Sequence, residues 1–383
     1  MSTAVEPAAE AVVNEPEANK LFRMVMKYKG SDLHLKVGSP PSMRLAGVLR
    51  QMQLPPLTTS DMERLMYPLL SPRQRGILDE EGGVDFAHVV VDPDNETRFR
   101  VNLFKQRGRL SLVARRVNNR IPTFEELHLP PVLAEITQYE QGIIILAGVT
   151  GSGKSTTIAA MLQYINERER LHIVTIEDPI EYTFKDDKSI INQREVGIDV
   201  IDWEVALKHA VRQDPDVILV GEMRDRETFS AAMHAAETGH LVFGTIHAST
   251  APSTIGRLLD LFPRDMHSSL RQSLAFNLKA IIAQKLLPTT KEWAAKGVTR
   301  VPTNEILRTS PTVRKLILNE EDTKLGDAIR IGKEDGMMDF TESLRQLVVA
   351  EKIERATAFE VAPSPEALKM ALKGITIAQP GIL

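Results

Sequence analysis

Apolar positions fall into two regimes along the chain. Over the first hundred-odd residues they alternate with polar ones in short segments. Ser31-Asp-Leu-His-Leu-Lys-Val places Leu33, Leu35 and Val37 on one face of a half-buried strand. Residues 84–91, 98–104 and 110–117 alternate in the same way, the last two joined by a turn over 105–109. Leu21, Phe22, Met24, Val25 and Met26 sit instead at helical spacing, which Gly30 ends. Pro40-Pro41 turns the chain, and Ser60-Asp-Met-Glu63 offers a capping box for a helix running to residue 70. The pattern predicts a small α+β unit built on an antiparallel sheet.

After Pro122, Pro130 and Pro131 the pattern changes. Residues 143–147, 172–176, 217–221 and 241–246 form short apolar runs without strict alternation, separated by helical stretches. Such runs suit strands covered on both faces, as in a mostly parallel α/β sheet. Beyond residue 261 the spacing reads as helical over 268–286, 312–318, 323–331 and 340–349. The predicted organisation is a disordered tail over 1–19, a small domain over 20–117, a linker over 118–131, an α/β domain with a helical C-terminal part over 132–365, and a second tail over 366–383.

Composition narrows the function classes. With 43% hydrophobic and 26% charged residues in 383, chain-wide disorder is excluded. No apolar stretch approaches the ~20 residues that span a bilayer, and the Ala/Glu/Pro-rich start does not read as a secretory signal, so a cytoplasmic location is expected. The chain has no cysteine, which excludes disulfides, thiol nucleophiles, iron–sulfur clusters and thiolate zinc sites. A net charge of −4 argues against nucleic acid as the main partner.

Gly148-Val-Thr-Gly-Ser-Gly-Lys-Ser155 fits G-x-x-x-x-G-K-[ST] at every fixed position, between an apolar strand and a helix. Gly148, Gly151 and Gly153 let backbone N–H groups close around phosphate oxygens, Lys154 adds a point charge, and Ser155 is a candidate Mg2+ ligand. Thr150, Ser152 and Thr156 complete the expected nucleotide-binding segment. In open α/β sheets ligands gather beyond the carboxyl ends of the strands. Polar groups follow each of the other runs: Glu177-Asp178-Pro-Ile-Glu181, Glu222-Met-Arg224-Asp225 and His247. ATP hydrolysis needs an acid to polarise water, a second beside the magnesium, and a sensor of the γ-phosphate; Glu181, Glu222 and His247 are the candidates. His234, His240 and His247 lack the spacing of a zinc site. Arg98 and Arg100 share the face opposite Phe99, Val101 and Leu103, with Arg107, Arg109, Arg115 and Arg116 nearby. They read either as a solvated basic face or as guanidinium groups that reach a γ-phosphate.

Together these motifs resemble the PilT/PilU family of secretion-type ATPases, the motors that retract type IV pili, from about residue 20 to the mid-300s. The match rests on Ser31-Asp-Leu-His-Leu, Arg98-Phe-Arg-Val-Asn102, the phosphate loop, Ile176-Glu-Asp-Pro-Ile-Glu-Tyr, Asn192-Gln-Arg-Glu-Val, Ile218-Leu-Val-Gly-Glu-Met-Arg-Asp225 and Glu237-Thr-Gly-His-Leu-Val-Phe-Gly-Thr-Ile-His247. The resemblance implies a PAS-like α+β domain, then a P-loop RecA-like motor domain of α/β class, and homo-hexameric rings hydrolysing ATP with Mg2+. It implies Glu181 as catalytic glutamate, Glu222 as the magnesium-associated acid, His247 as the His-box residue, and Arg98, Arg100 and Arg115 as nucleotide sensors. An inner-membrane pilus platform protein and a paralogous retraction ATPase are the implied partners, with the chain peripheral to the membrane. Domain rotation driven by nucleotide would pivot on residues 118–131. One departure stands out: the family's C-terminal Ala-Ile-Arg-Asn-Leu-Ile-Arg-Glu reads here Thr312-Val-Arg314-Lys-Leu-Ile-Leu-Asn-Glu320, with Leu318 in place of the second arginine. Rival readings are a pilus-extension or type II secretion ATPase, whose relatives usually carry a four-cysteine zinc module, and a nucleic-acid-dependent RecA-like motor.

Overall fold

The computed structural model describes residues 15–92 and 95–375. The chain divides into two compact units, residues 1–119 and 120–383. In the first, α1 (Asn19–Lys27) buries Leu21, Phe22 and Val25. It packs on an antiparallel sheet in which β1 (Asp32–Lys36) lies between β2 (Ser42–Leu45) and β6 (Arg109–Arg116), β3 (Val48–Gln51) forms one edge, and β5 (Asn95–Gln106) and β4 (Gly83–Asp92) complete the other side. Phe99, Val101 and Leu103 are fully buried, as their alternation predicts. The expected tail reaches too far: Ala18 is fully buried, and Asn19 Nδ2 donates to Glu15 Oε1 at 2.8 Å. Residues 1–14 of that prediction lie outside the described residues.

Two local readings are corrected. Helix α2 (Thr59–Met66) is capped by Thr58, whose hydroxyl accepts from Asp61 N at 3.1 Å while Asp61 Oδ2 accepts from Thr58 N at 2.9 Å. The box therefore starts two residues before Ser60. Leu57 is held by a bridge to Val37, and the residue after the bridge is the cap. Pro68 then converts the end of the helix to a 3-10 turn over Tyr67–Leu69. Helix α3 (Pro72–Glu81), capped by Ser71 and Gln74 and ended by Gly82 at φ 78°, is additional to the predicted elements.

The second unit opens with α4 (Val132–Ile136) and carries a seven-stranded sheet. Its order is β13 (Arg300–Arg308), β12 (Leu278–Pro288), β7 (Gly142–Ala147), β11 (Leu241–Ile246), β10 (Val217–Val220), β8 (His172–Glu177) and β9 (Ile190–Glu195). All pairings are parallel except β12 with β13. Every residue of β7, β10 and β11 is buried. Ile143 and Ile145 join one apolar cluster and Ile144 and Leu146 another, which is why these runs show no alternation. The helices α5 (Lys154–Asn166), α6 (Trp203–Ala210), α7 (Arg226–Glu237), α8 (Ala251–Leu259) and α9 (His267–Asn277) accompany this sheet. The helix predicted over 268–286 is wrong in its second half: α9 ends at Asn277 and β12 follows. A short run covered on both faces has no periodicity to separate it from a buried helix.

Past β12 come α10 (Lys291–Ala295), β13, α11 (Pro311–Leu318), α12 (Leu325–Ile331), α13 (Phe340–Val349), α14 (Arg355–Val361) and α15 (Pro365–Leu372). Leu368 on α15 is fully buried in a cluster with Leu287, Val301 and Leu344. Residues 366–375 are thus part of the fold rather than a tail, and 376–383 lie outside the described residues.

Candidate functional site

The loop leaving β7 is shaped by close approach. A Cβ on Gly148 would run into Ser152 Oγ and come within 2.6 Å of Gln284 O, and one on Gly153 would come within 2.8 Å of Gln284 Nε2. Gly151 and Gly153 also adopt φ of 78° and 88°, which favour glycine. Gly153 caps α5, so the helix N-terminus faces the loop interior. Lys154 is buried and folds back on the loop, with Nζ donating to Gly148 O at 2.8 Å and Val149 O at 3.2 Å. Burial pushes its ammonium below the usual lysine range, opposed by the charges of Glu222 and Glu181.

A cavity of about 450 Å³ opens over this loop, at the carboxyl ends of the parallel strands. Thr150, Gly151, Gly153, Lys154, Ser155 and Thr156 line it, while Gly148 and Ser152 form the buried inner wall of the loop. Glu181 follows β8, Glu222 follows β10 and His247 follows β11, and all three line the same cavity. Glu222 is bound on both oxygens: Arg224 Nη2 lies 2.6 Å from Oε2 and His247 Nε2 3.0 Å from Oε1. The Arg224 guanidinium holds its carboxyl below the ordinary range against partial burial, and His247 adds to the effect. Arg98, Arg100 and Arg115 belong to the first unit, whereas the residues lining the cavity all belong to the second. The register sets Arg100 opposite Arg115, and Arg98 shares their face of the sheet. Arg115 Nε donates to the buried Asp32 Oδ1 at 2.9 Å. Burial alone would raise the Asp32 carboxyl; the Ser31 hydroxyl and Arg115 outweigh it and hold the carboxyl low.

Further residues enter the site beyond those singled out in sequence. Glu177, in the cavity lining, accepts from Thr175 Oγ1 at 2.7 Å and Gln193 Nε2 at 3.1 Å. Loss of solvent pushes its carboxyl up to about 7, partly offset by those two donors. Gln193 also donates to Tyr182 O at 2.8 Å and accepts from Phe184 N at 2.9 Å, so β9 pins the segment that carries Glu181. Tyr182 Oη in turn lies 3.0 Å from Thr156 Oγ1 at the start of α5. Arg300 reaches the cavity from β13. The signal for Gln193 was present in Asn192-Gln-Arg-Glu-Val; Arg300 sits on a strand that hydropathy alone does not reveal.

Among the described residues, no helix is long and apolar enough to cross a membrane. The model of the family described as "Type II/IV secretion system protein" matches residues 8–356. The chain is 39% identical over 350 residues to the type IV pilus retraction ATPase PilT of Pseudomonas aeruginosa, covering 91% of this chain and 99% of that protein. It is 38% identical over 357 residues to the type IV pilus ATPase PilU of the same organism, covering 93% and 91%. The crystal structure of the pilus retraction motor PilT with bound ADP is similar over 93% of this chain and 99% of that one, with a TM-score of 0.82 and 40% identity. Similarity of this extent covers both units at once, and the chain belongs to the PilT/PilU family of type II/IV secretion ATPases.

Proposed function

We propose that this chain is an ATP-hydrolysing motor that powers type IV pilus retraction. The observation that carries the reading is the convergence of Glu181, Glu222 and His247, from three separate strand ends, on the cavity that holds Lys154 and Ser155. In this reading Lys154 exchanges its loop carbonyls for phosphate oxygens, Glu181 orients and deprotonates the attacking water, and His247 reports the γ-phosphate. The Ser155 hydroxyl and Glu222 carboxylate are hard oxygen donors of the kind that suits Mg2+, which takes few protein ligands beside phosphate and water. Bound there, Mg2+ would neutralise charge on the phosphate oxygens. Ser155 would hold the metal directly, and Glu222, already engaged by Arg224 and His247, would add its negative charge beside it. Arg98, Arg100 and Arg115 supply guanidinium groups that sense nucleotide, and rotation of their domain about residues 118–131 converts hydrolysis into pilin disassembly. The working state is a homo-hexamer at the cytoplasmic side of the inner membrane, engaging a pilus platform protein and a paralogous retraction ATPase.

Phosphate release by purified protein tests the site. The wild type should turn over ATP independently of DNA, Lys154→Ala should lose binding and turnover, and Glu181→Ala should retain nucleotide while its rate falls by about 10² or more. Unchanged release in Lys154→Ala, Glu181→Ala and Glu222→Ala alike would sink the assignment, and stimulation by DNA would favour a nucleic-acid motor.

A further inference from the structure

We infer that Gln284 on β12 is a positioning residue for the phosphate loop, holding its shape through a buried amide relay that continues to α13. The inference rests on the nucleotide-site reading above. Gln284 is the one uncharged polar side chain in β12, and it is only 2% exposed. An amide there is tolerated only if its polar atoms find partners. Nε2 donates to Ser152 O at 2.8 Å, while Oε1 accepts from Thr157 Oγ1 at 2.9 Å and Asn304 Nδ2 at 3.0 Å. One side chain thus ties the end of the loop to the first turn of α5. The peptide between Ser152 and Gly153 is planar, so fixing Ser152 O on Gln284 turns the Gly153 N–H away from β12. Gly153 lines the cavity.

The two outer glycines of the motif both pack against Gln284. Gly148 abuts the backbone oxygen of Gln284 and Gly153 abuts its side-chain nitrogen, and neither approach leaves room for a Cβ. The relay does not stop there. Asn304 on β13 is 1% exposed, its backbone N–H donates to Ser343 Oγ at 3.0 Å, and Thr303 Oγ1 donates to the same hydroxyl at 2.9 Å. Ser343 lies on α13, so the phosphate loop is hydrogen-bonded through two strands to the C-terminal helices.

Gln284→Glu separates a hydrogen-bonding role from a filling role. The ionised carboxylate has no proton for Ser152 O; the protonated acid regains one. Binding of fluorescent N-methylanthraniloyl-ADP with Mg2+ should therefore be about tenfold weaker than wild type at pH 8.5, the worth of one buried hydrogen bond, and recover toward wild type as pH falls to 5.5. Gln284→Met should bind weakly at every pH. Gln284→Met that binds like wild type, or Gln284→Glu that weakens like Gln284→Met with no pH dependence, overturns the relay. If the Gln284 variants do not fold, Thr157→Val should weaken binding several-fold and Thr157→Ser restore it; Thr157→Val matching wild type overturns the inference equally. A wild type that binds no nucleotide overturns the nucleotide-site reading itself, and the relay with it.

Discussion

Glu177 illustrates how far a side chain's surroundings can shift its chemistry. Its carboxyl is raised from 4.5 to about 7 by loss of solvent in the cavity lining. Between those values the folded chain holds a proton that the unfolded chain has released, so stability falls as pH rises from about 4.5 to about 7. Glu177→Gln keeps the shape and removes the titration. Its thermal midpoint should match wild type near pH 4 and exceed it near pH 8; equal midpoints at pH 8 would contradict the desolvated-carboxyl account. Gly153 is a second residue whose identity follows from its surroundings. Gly153→Ala combines φ of 88° with a Cβ 2.8 Å from Gln284 Nε2, and should destabilise the loop by at least ~1 kcal/mol and weaken nucleotide binding in a titration.

At the scale of elements, the cap of α2 gives a direct comparison between two residues two positions apart. Thr58→Ala should lower the stability of the first unit by about 1 kcal/mol, while Ser60→Ala, on the exposed first turn, should be nearly neutral in denaturant titration. The alternating strands of the first unit and the apolar runs of β7, β8, β10 and β11 were legible because each had an unambiguous period or a motif beside it. Strand β12 was not, since residues 280–283 are apolar on both faces and follow a true helix without a breaker, and β13 was not, since Pro302 and the polar Thr303, Asn304 and Glu305 interrupt its apolar positions. The first omission hid Gln284, and the second hid Asn304 and Arg300. Glu181, Glu222 and His247 were legible by their place after strands and Gln193 by the motif that carries it, whereas Gln284 acts through contacts distant in sequence that spacing does not encode. The pairing of Arg115 with Asp32 likewise joins residues far apart in sequence, and only the register of β1 against β6 brings it out.

The whole molecule combines an arginine-bearing sheet with a parallel-sheet unit whose strand ends carry the acids and the phosphate loop. The retraction reading depends on that second unit hydrolysing ATP and on the energy reaching the pilus. Leu318, where the family motif carries arginine, is 39% exposed on α11, while the retained Arg314 donates Nε to Ala275 O at 2.9 Å and so anchors α11 to α9. Arginine at position 318 would therefore add a surface charge without disturbing the core, and Leu318→Arg should leave the basal rate of phosphate release unchanged. A changed basal rate would place this position within the hydrolytic cycle. The most direct measurement is live imaging of labelled pili in cells that lack the gene and are complemented with either wild type or Lys154→Ala. Wild type should restore retraction, and Lys154→Ala should leave cells with extended pili that do not retract. Bald cells, or retraction unchanged by Lys154→Ala, would contradict the assignment of this chain as a retraction motor.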